Sequence, residues 1–114
     1  MLRLILSTIM VLVASSTLAQ GQYIVTNAII TKVGNTSGNG PSFWVVAEQG
    51  SGPCVSSSGQ NNIYFPASAA GNTKIYDRAY AAALAALASG KHVNIYNYVD
   101  GSCNTAASIE VMAQ

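Results

Sequence analysis

Residues 72–99 read NTKIYDRAYAAALAALASGKHVNIYNYV, and the interpretation of this stretch decides the fold. Asn72 or Thr73 can cap a helix N-terminus, and Gly90 stands where a helix-ending C′ residue belongs. Between them Tyr76, Tyr80, Ala83, Leu84 and Leu87 recur at helical spacing and are expected to form the buried stripe. Lys74, Asp77 and Arg78 open the opposite side, which continues as Ala81, Ala85 and Ala88. These alanines serve helix propensity, and they also allow a second backbone to approach, which keeps a subunit interface in view. After Gly90 the period changes to two. Val93, Ile95 and Val99 fall on one side of a strand and Asn94, Tyr96 and Tyr98 on the other, with Asn97 between them.

Working outward, Tyr23 to Val33 (YIVTNAIITKV) is rich in β-branched residues and reads as a long first strand. The glycines and proline of GNTSGNGP turn the chain into a second strand, SFWVVAE, with Phe43, Val45 and Ala47 sharing one face. The two strands should pair as an antiparallel hairpin. The run from Gln49 to Gln60 is small, polar and loop-forming. NNIYFP supplies a short third strand that Pro66 ends. Beyond the opening stretch, DGS turns the chain into a last strand within CNTAASIEVMA, with Ala107, Ile109, Val111 and Ala113 on one face. The order is β-β-β-α-β-β, without βαβ rhythm or phosphate-binding glycine motif. The expected fold is therefore α+β, mainly β: a single small antiparallel five-stranded OB-like sheet or barrel with one helix between the third and fourth strands.

The N-terminus, MLRLILSTIMVLVASSTLAQ, combines Arg3, an apolar run and small residues ending at Ala19. This is the layout of a secretory signal peptide, so 1–19 is expected to be removed and 20–114 to form one secreted or periplasmic domain without a membrane span. Past that point Lys32, Lys74, Arg78 and Lys91 are balanced by Glu48, Asp77, Asp100 and Glu110. A neutral chain lacks the basic footprint of a nucleic-acid binder. Cys54 and Cys103, in an oxidising compartment, are expected to form a disulfide worth about 4 kcal/mol on the chain-entropy model.

Catalysis finds little support in these residues. His92 and Asp100, placed along one extended strand, stand roughly 26 Å apart. Oxidised cysteines are neither nucleophiles nor metal ligands, and no nucleophile-elbow motif surrounds any serine. The spacing of the four carboxylates brings no two together as a glycosidase pair. The expectation is a non-enzyme without cofactor or metal. Tyr96 and Tyr98 beside amides suit a neutral polar ligand such as a sugar, or they pack beneath the helix with hydroxyls at its rim.

VTNAIITKV, PSFWVV and IYDRAYAAALAALASGKHVNIYNY resemble, in layout, the B subunits of subtilase-cytotoxin and typhoid-toxin type within the pertussis-like AB5 toxins. The pattern RAYAxAL…ASGKxVxIYxYxDGSC also resembles short uncharacterised secreted proteins of Gram-negative bacteria. The toxin resemblance implies an OB-fold subunit, a pentameric ring with helices towards the pore, and binding of sialylated glycans. It assigns a ligand-contacting hydroxyl to Thr26. It assigns a tyrosine position to Asn97, which Tyr96 and Tyr98 flank. Trp44 replaces a second-strand cysteine of those subunits, and their C-terminal cysteine-bearing extension is absent. The expected glycan contacts are Thr26, Glu48, Tyr96 and Tyr98. The rival expectation is a small disulfide-stapled periplasmic structural or inhibitory protein without a sugar ligand.

Overall fold

The computed structural model describes residues 21–37 and 40–113; the expected signal peptide lies outside them. The elements are β1 (Gln22–Thr36), β2 (Ser42–Glu48), β3 (Ile63–Pro66), a single turn α1 (Ala67–Ala70), α2 (Thr73–Ser89), β4 (Val93–Asn97) and β5 (Ser108–Val111). All strand pairs are antiparallel, and the sheet order is β3-β2-β1-β4-β5. This is the expected α+β, mainly β architecture, with the main helix between the third and fourth strands.

β1 makes the fold possible because it serves two neighbours. Its second half, from Ile29 to Thr36, pairs with β2; its first half, from Gln22 to Ala28, pairs with β4. Register shifts between Tyr23 and Val25, Val25 and Ala28, and Ile30 and Lys32 bend the strand. They also break the alternation of sides. Ile24 and Val25 are both fully buried, and Thr26 and Asn27, the latter at φ 54°, are both exposed.

The sheet curls far enough to bring β3 towards the segment before β5. The Tyr64 N–H donates to the Cys103 carbonyl at 2.8 Å, and the Ala106 N–H donates to the Tyr64 carbonyl at 3.0 Å. The Cys54–Cys103 disulfide lies beside this seam, across a sequence separation of 49, with Cys54 fully buried. Its loop is pinned to β1: Thr26 and Ser51 exchange backbone hydrogen bonds, and the Cys54 N–H donates to the Ile24 carbonyl. Gly52, at φ +117°, is required here, since a Cβ would stand 2.5 Å from the Ile24 oxygen. Buried Ser56 organises the next turn by accepting the N–H groups of Ser58, Gln60 and Asn61 on its Oγ.

α2 begins at Asn72, whose side chain accepts the Ile75 N–H at 2.9 Å, and it ends at Gly90 in the left-handed conformation, as the sequence suggests. The buried stripe differs from the expected one. Ala79, Ala83 and Ala86 face the core, Tyr76 and Tyr80 are half-buried, and Leu84 and Leu87 are 41% and 40% exposed. Alanines on the inward face let the helix settle close to β1 and β5, while Tyr76 and Tyr80 lean on Phe43, which stacks on Phe65 with ring centroids 4.5 Å apart. The core itself is aliphatic and aromatic, built from Ile24, Val25, Phe43, Val45, Ile63, Phe65, Val93 and Ile95.

Candidate functional site

The outer surface of β1, β4 and β5 carries a continuous row of polar and aromatic side chains. Cross-strand register sets it up: Tyr23 lies opposite Tyr96, Tyr96 opposite Ser108, and Asn94 opposite Glu110. The Tyr23 and Tyr96 rings meet edge to face at 5.0 Å, and Tyr96 and Tyr98 do so at 4.9 Å. Tyr23 and Tyr98 are 49% and 64% exposed, so the outer rings present area to solvent while Tyr96, half-buried, holds them together. Gly21 permits this, because a Cβ there would come within 2.8 Å of the Tyr96 ring and hydroxyl.

Hydrogen bonds extend the row. Tyr23 donates its hydroxyl to Glu110 Oε1 at 2.7 Å, and Asn94 donates its amide to Glu110 Oε2 at 3.4 Å. The Asn94 Oδ1 accepts the Asn27 N–H at 2.9 Å, and the Asn27 Oδ1 stands 2.6 Å from His92 Nδ1. The hydrogen bond to Glu110, followed by the charge of that carboxylate, pushes the Tyr23 phenol above its usual pKa of 10.0. The row thus runs from His92 through Asn27, Asn94, Glu110, Tyr23 and Tyr96 to Tyr98, carried by β1, β4 and β5 and by the residues that immediately flank β4.

Tyr98 is placed by Asn97, the most connected polar side chain in this region. Alternation puts Asn97 between Ile95 and Val99 on the aliphatic side of the strand, and the structure buries it completely. Its Nδ2 donates to the Ser102 carbonyl and Thr105 Oγ1, both at 2.8 Å, and to Asp100 Oδ1 at 3.2 Å. Its Oδ1 accepts the N–H groups of Val99 and Asp100. β4 therefore stops at Asn97, and the expected tight DGS turn is instead a longer loop that begins with Tyr98 and returns at Ser108. Along β5 the face expected to carry Ala107, Ile109 and Val111 together is buried at Ala107 and 38% exposed at Val111.

Beside Tyr98 a groove of about 310 Å³ runs between α2 and β5, with Ile75, Ala79 and Ile109 in its lining and Arg78 and Ser108 as its polar members. Tyr98 belongs to both row and groove, so the two form one continuous surface.

Of the expected contact residues, Tyr96 and Tyr98 touch each other in this row. Thr26 is exposed on the strand that carries Tyr23 and Asn27, with its backbone committed to Ser51. Glu48 sits on β2, opposite Ile29 in the half of β1 that pairs with β2, with its carboxylate near Gly59, whereas Tyr23 and its partner Tyr96 pair in the other half of β1. Thr26 thus lies beside the row on β1 and Glu48 away from it on β2, whereas Tyr23, Asn27, Asn94 and Glu110 belong to it. Tyr23 and Glu110 were recoverable only from the pairing of β1 with β4 and of β4 with β5. His92 and Asp100 have separate partners, Asn27 for one and Asn97 for the other.

Among the described residues no helix is long and apolar enough to cross a membrane, and the chain carries an intramolecular disulfide. No curated protein and no solved structure matches the sequence significantly. A family profile does match, from residue 4 to residue 113, and the chain accordingly belongs to a family of unknown function, DUF5992.

Proposed function

We propose that this chain is a secreted, non-catalytic binding module that receives a glycan on the outer surface of β1, β4 and β5. The observation that carries the reading is the row of Tyr23, Tyr96 and Tyr98 continued by Asn94 and Glu110. Tyrosine rings pack on the C–H faces of a sugar, while amides and carboxylates meet its hydroxyls in directed pairs. The groove beside Tyr98 extends the contact area beyond one ring. Secretion is supported by the leader-like N-terminus and by the disulfide, which belongs to an oxidising compartment.

The layout resemblance to toxin B subunits agrees with the OB-like strand order and the position of α2. It extends the reading to a B-subunit-like role in an oligomer, pentameric in the toxins. Leu84 and Leu87, exposed on an α2 face that also carries Ala81, Ala85 and Ala88, favour a second reading in which that face meets a protein partner or another copy.

A glycan array probed with the oxidised protein tests the primary reading. Binding to a defined subset of sialylated or neutral glycans supports it. Background signal across the whole array counts against it and leaves the protein-partner reading, which sedimentation and crosslinking then address.

A further inference from the structure

A second groove, of about 550 Å³, lies at the far end of β1 from Tyr23, between the end of the β1–β2 hairpin and the first turns of α2. Its wall is set by Phe43. The Phe43 ring meets Tyr76 at 5.5 Å and Tyr80 at 5.2 Å, which holds both tyrosines half-buried against the hairpin. Tyr76 and Tyr80 are four residues apart and share a helix side; exposed Asp77 is three residues from Tyr80 and next to Tyr76. Asn35 stands directly opposite Phe43 in the hairpin, so it projects to the side on which the tyrosines lie. Pro41 and Ser42 complete the lining that matters here.

We propose that this groove, formed by Asn35, Ser42, Tyr76, Asp77 and Tyr80, binds a neutral sugar. The two rings offer packing area that is already ordered by Phe43, so little rotamer freedom is lost on binding. The Asp77 carboxylate accepts two hydroxyl donors, and the Asn35 amide both donates and accepts, which matches neighbouring hydroxyls of a pyranose. Charge selects against other ligands. The lining contains a carboxylate and no cation, so phosphate or carboxylate ligands are repelled. An ammonium ion would find the carboxylate and the rings, but it would leave the donors of Asn35 and Ser42 without a use. The site lies at the opposite end of β1 from the tyrosine row and does not depend on it, so a chain with both sites bridges two sugars.

The test is an amide chemical-shift titration of the oxidised protein with methyl glucoside, methyl galactoside and N-acetylglucosamine in turn, with tetramethylammonium and N-acetylneuraminic acid as comparison ligands. At least one neutral sugar is expected to give saturable shifts at Asn35, Ser42 and Tyr76 to Tyr80, with a Kd of about 1 mM. Asp77→Ala, on an exposed helix position that the fold does not need, weakens this binding about tenfold and leaves shifts around Tyr98 unchanged. Tyr80→Phe keeps the packing on Phe43 and weakens binding through the hydroxyl alone. The proposal is overturned if no neutral sugar shifts these residues, if Asp77→Ala binds as tightly as the parent, or if tetramethylammonium or N-acetylneuraminic acid outcompetes the neutral sugars here. Loss of sugar binding around Tyr98 with retention here contradicts the primary reading and leaves this one standing.

Discussion

Replacing Asn97 with alanine removes a fully buried amide that connects the end of β4 to the loop leading into β5. Three contacts from Nδ2 and two to Oδ1 are lost, to Ser102, Thr105, Asp100 and Val99. A buried hydrogen bond contributes about 1 kcal/mol net, and a buried partner left unsatisfied costs about 1–3 kcal/mol more. Part of that loss is recovered because the exposed partners, Asp100 and Val99, regain water. The expected loss is about 3–4 kcal/mol, a large share of the 5–15 kcal/mol typical of a domain. Urea unfolding of the oxidised protein, compared with the parent, measures it. Asn97→Asp keeps the acceptor but presents a carboxylate to the Ser102 carbonyl and Asp100, so its loss should be at least as large. A loss below about 1 kcal/mol in both variants would show that the amide is not the organiser of this loop. The effect also reaches the candidate site, because Tyr98 follows directly: its near-ultraviolet dichroism with Tyr96 should weaken in both variants.

Reducing the Cys54–Cys103 disulfide should cost about 4 kcal/mol in the same unfolding assay, and mass spectrometry of the protein purified without reductant should find no free thiol at either cysteine. Tyr23 should titrate above 10.0, followed by tyrosinate absorbance, and should return towards that value in Glu110→Gln. Since its folded pKa is raised, the Tyr23–Glu110 contact stabilises the fold fully below pH 10 and loses that contribution as pH rises through the folded value. A Glu110→Gln variant with an unchanged Tyr23 titration contradicts the hydrogen bond. Leu84→Ala, at a 41% exposed position, should cost under about 1 kcal/mol, whereas Phe43→Ala should cost about 3–5 kcal/mol. Gly52→Ala should destabilise by at least 1 kcal/mol or so, because the new methyl group meets the Ile24 carbonyl and φ is positive.

The features legible in the sequence are those carried by local chemistry. Asn72 and Gly90 fix the ends of α2 through their own side chain and backbone, and the β-branched run of β1 needs no distant partner to be recognised. The stripe of α2 was legible in part: Ala83 is buried and Tyr76 and Tyr80 pack against the core as expected, but Leu84 and Leu87 on one side and Ala79 and Ala86 on another are both apolar at helical spacing. Only the close approach of α2 to the sheet, which leaves room for methyl groups, selects the alanines. Asn97 was missed for a related reason. Alternation along β4 gives it an inward position, yet an amide is accepted there only because Ser102 and Thr105 fold back to meet it. The site was half legible: Tyr96 and Tyr98 are neighbours in the chain, but Tyr23 and Glu110 join them only through strand pairing. The bulges in β1 also turn Thr26 and Asn27 outward together, which strict alternation does not allow.

We propose that the tyrosine row binds sugar. The most direct measurement is array binding of the parent protein beside Tyr98→Ala, whose exposed ring can be removed without disturbing the core. The account predicts glycan-specific signal for the parent and its loss in the variant, with unchanged unfolding midpoints. Equal signal in the two proteins, or none in the parent, contradicts it.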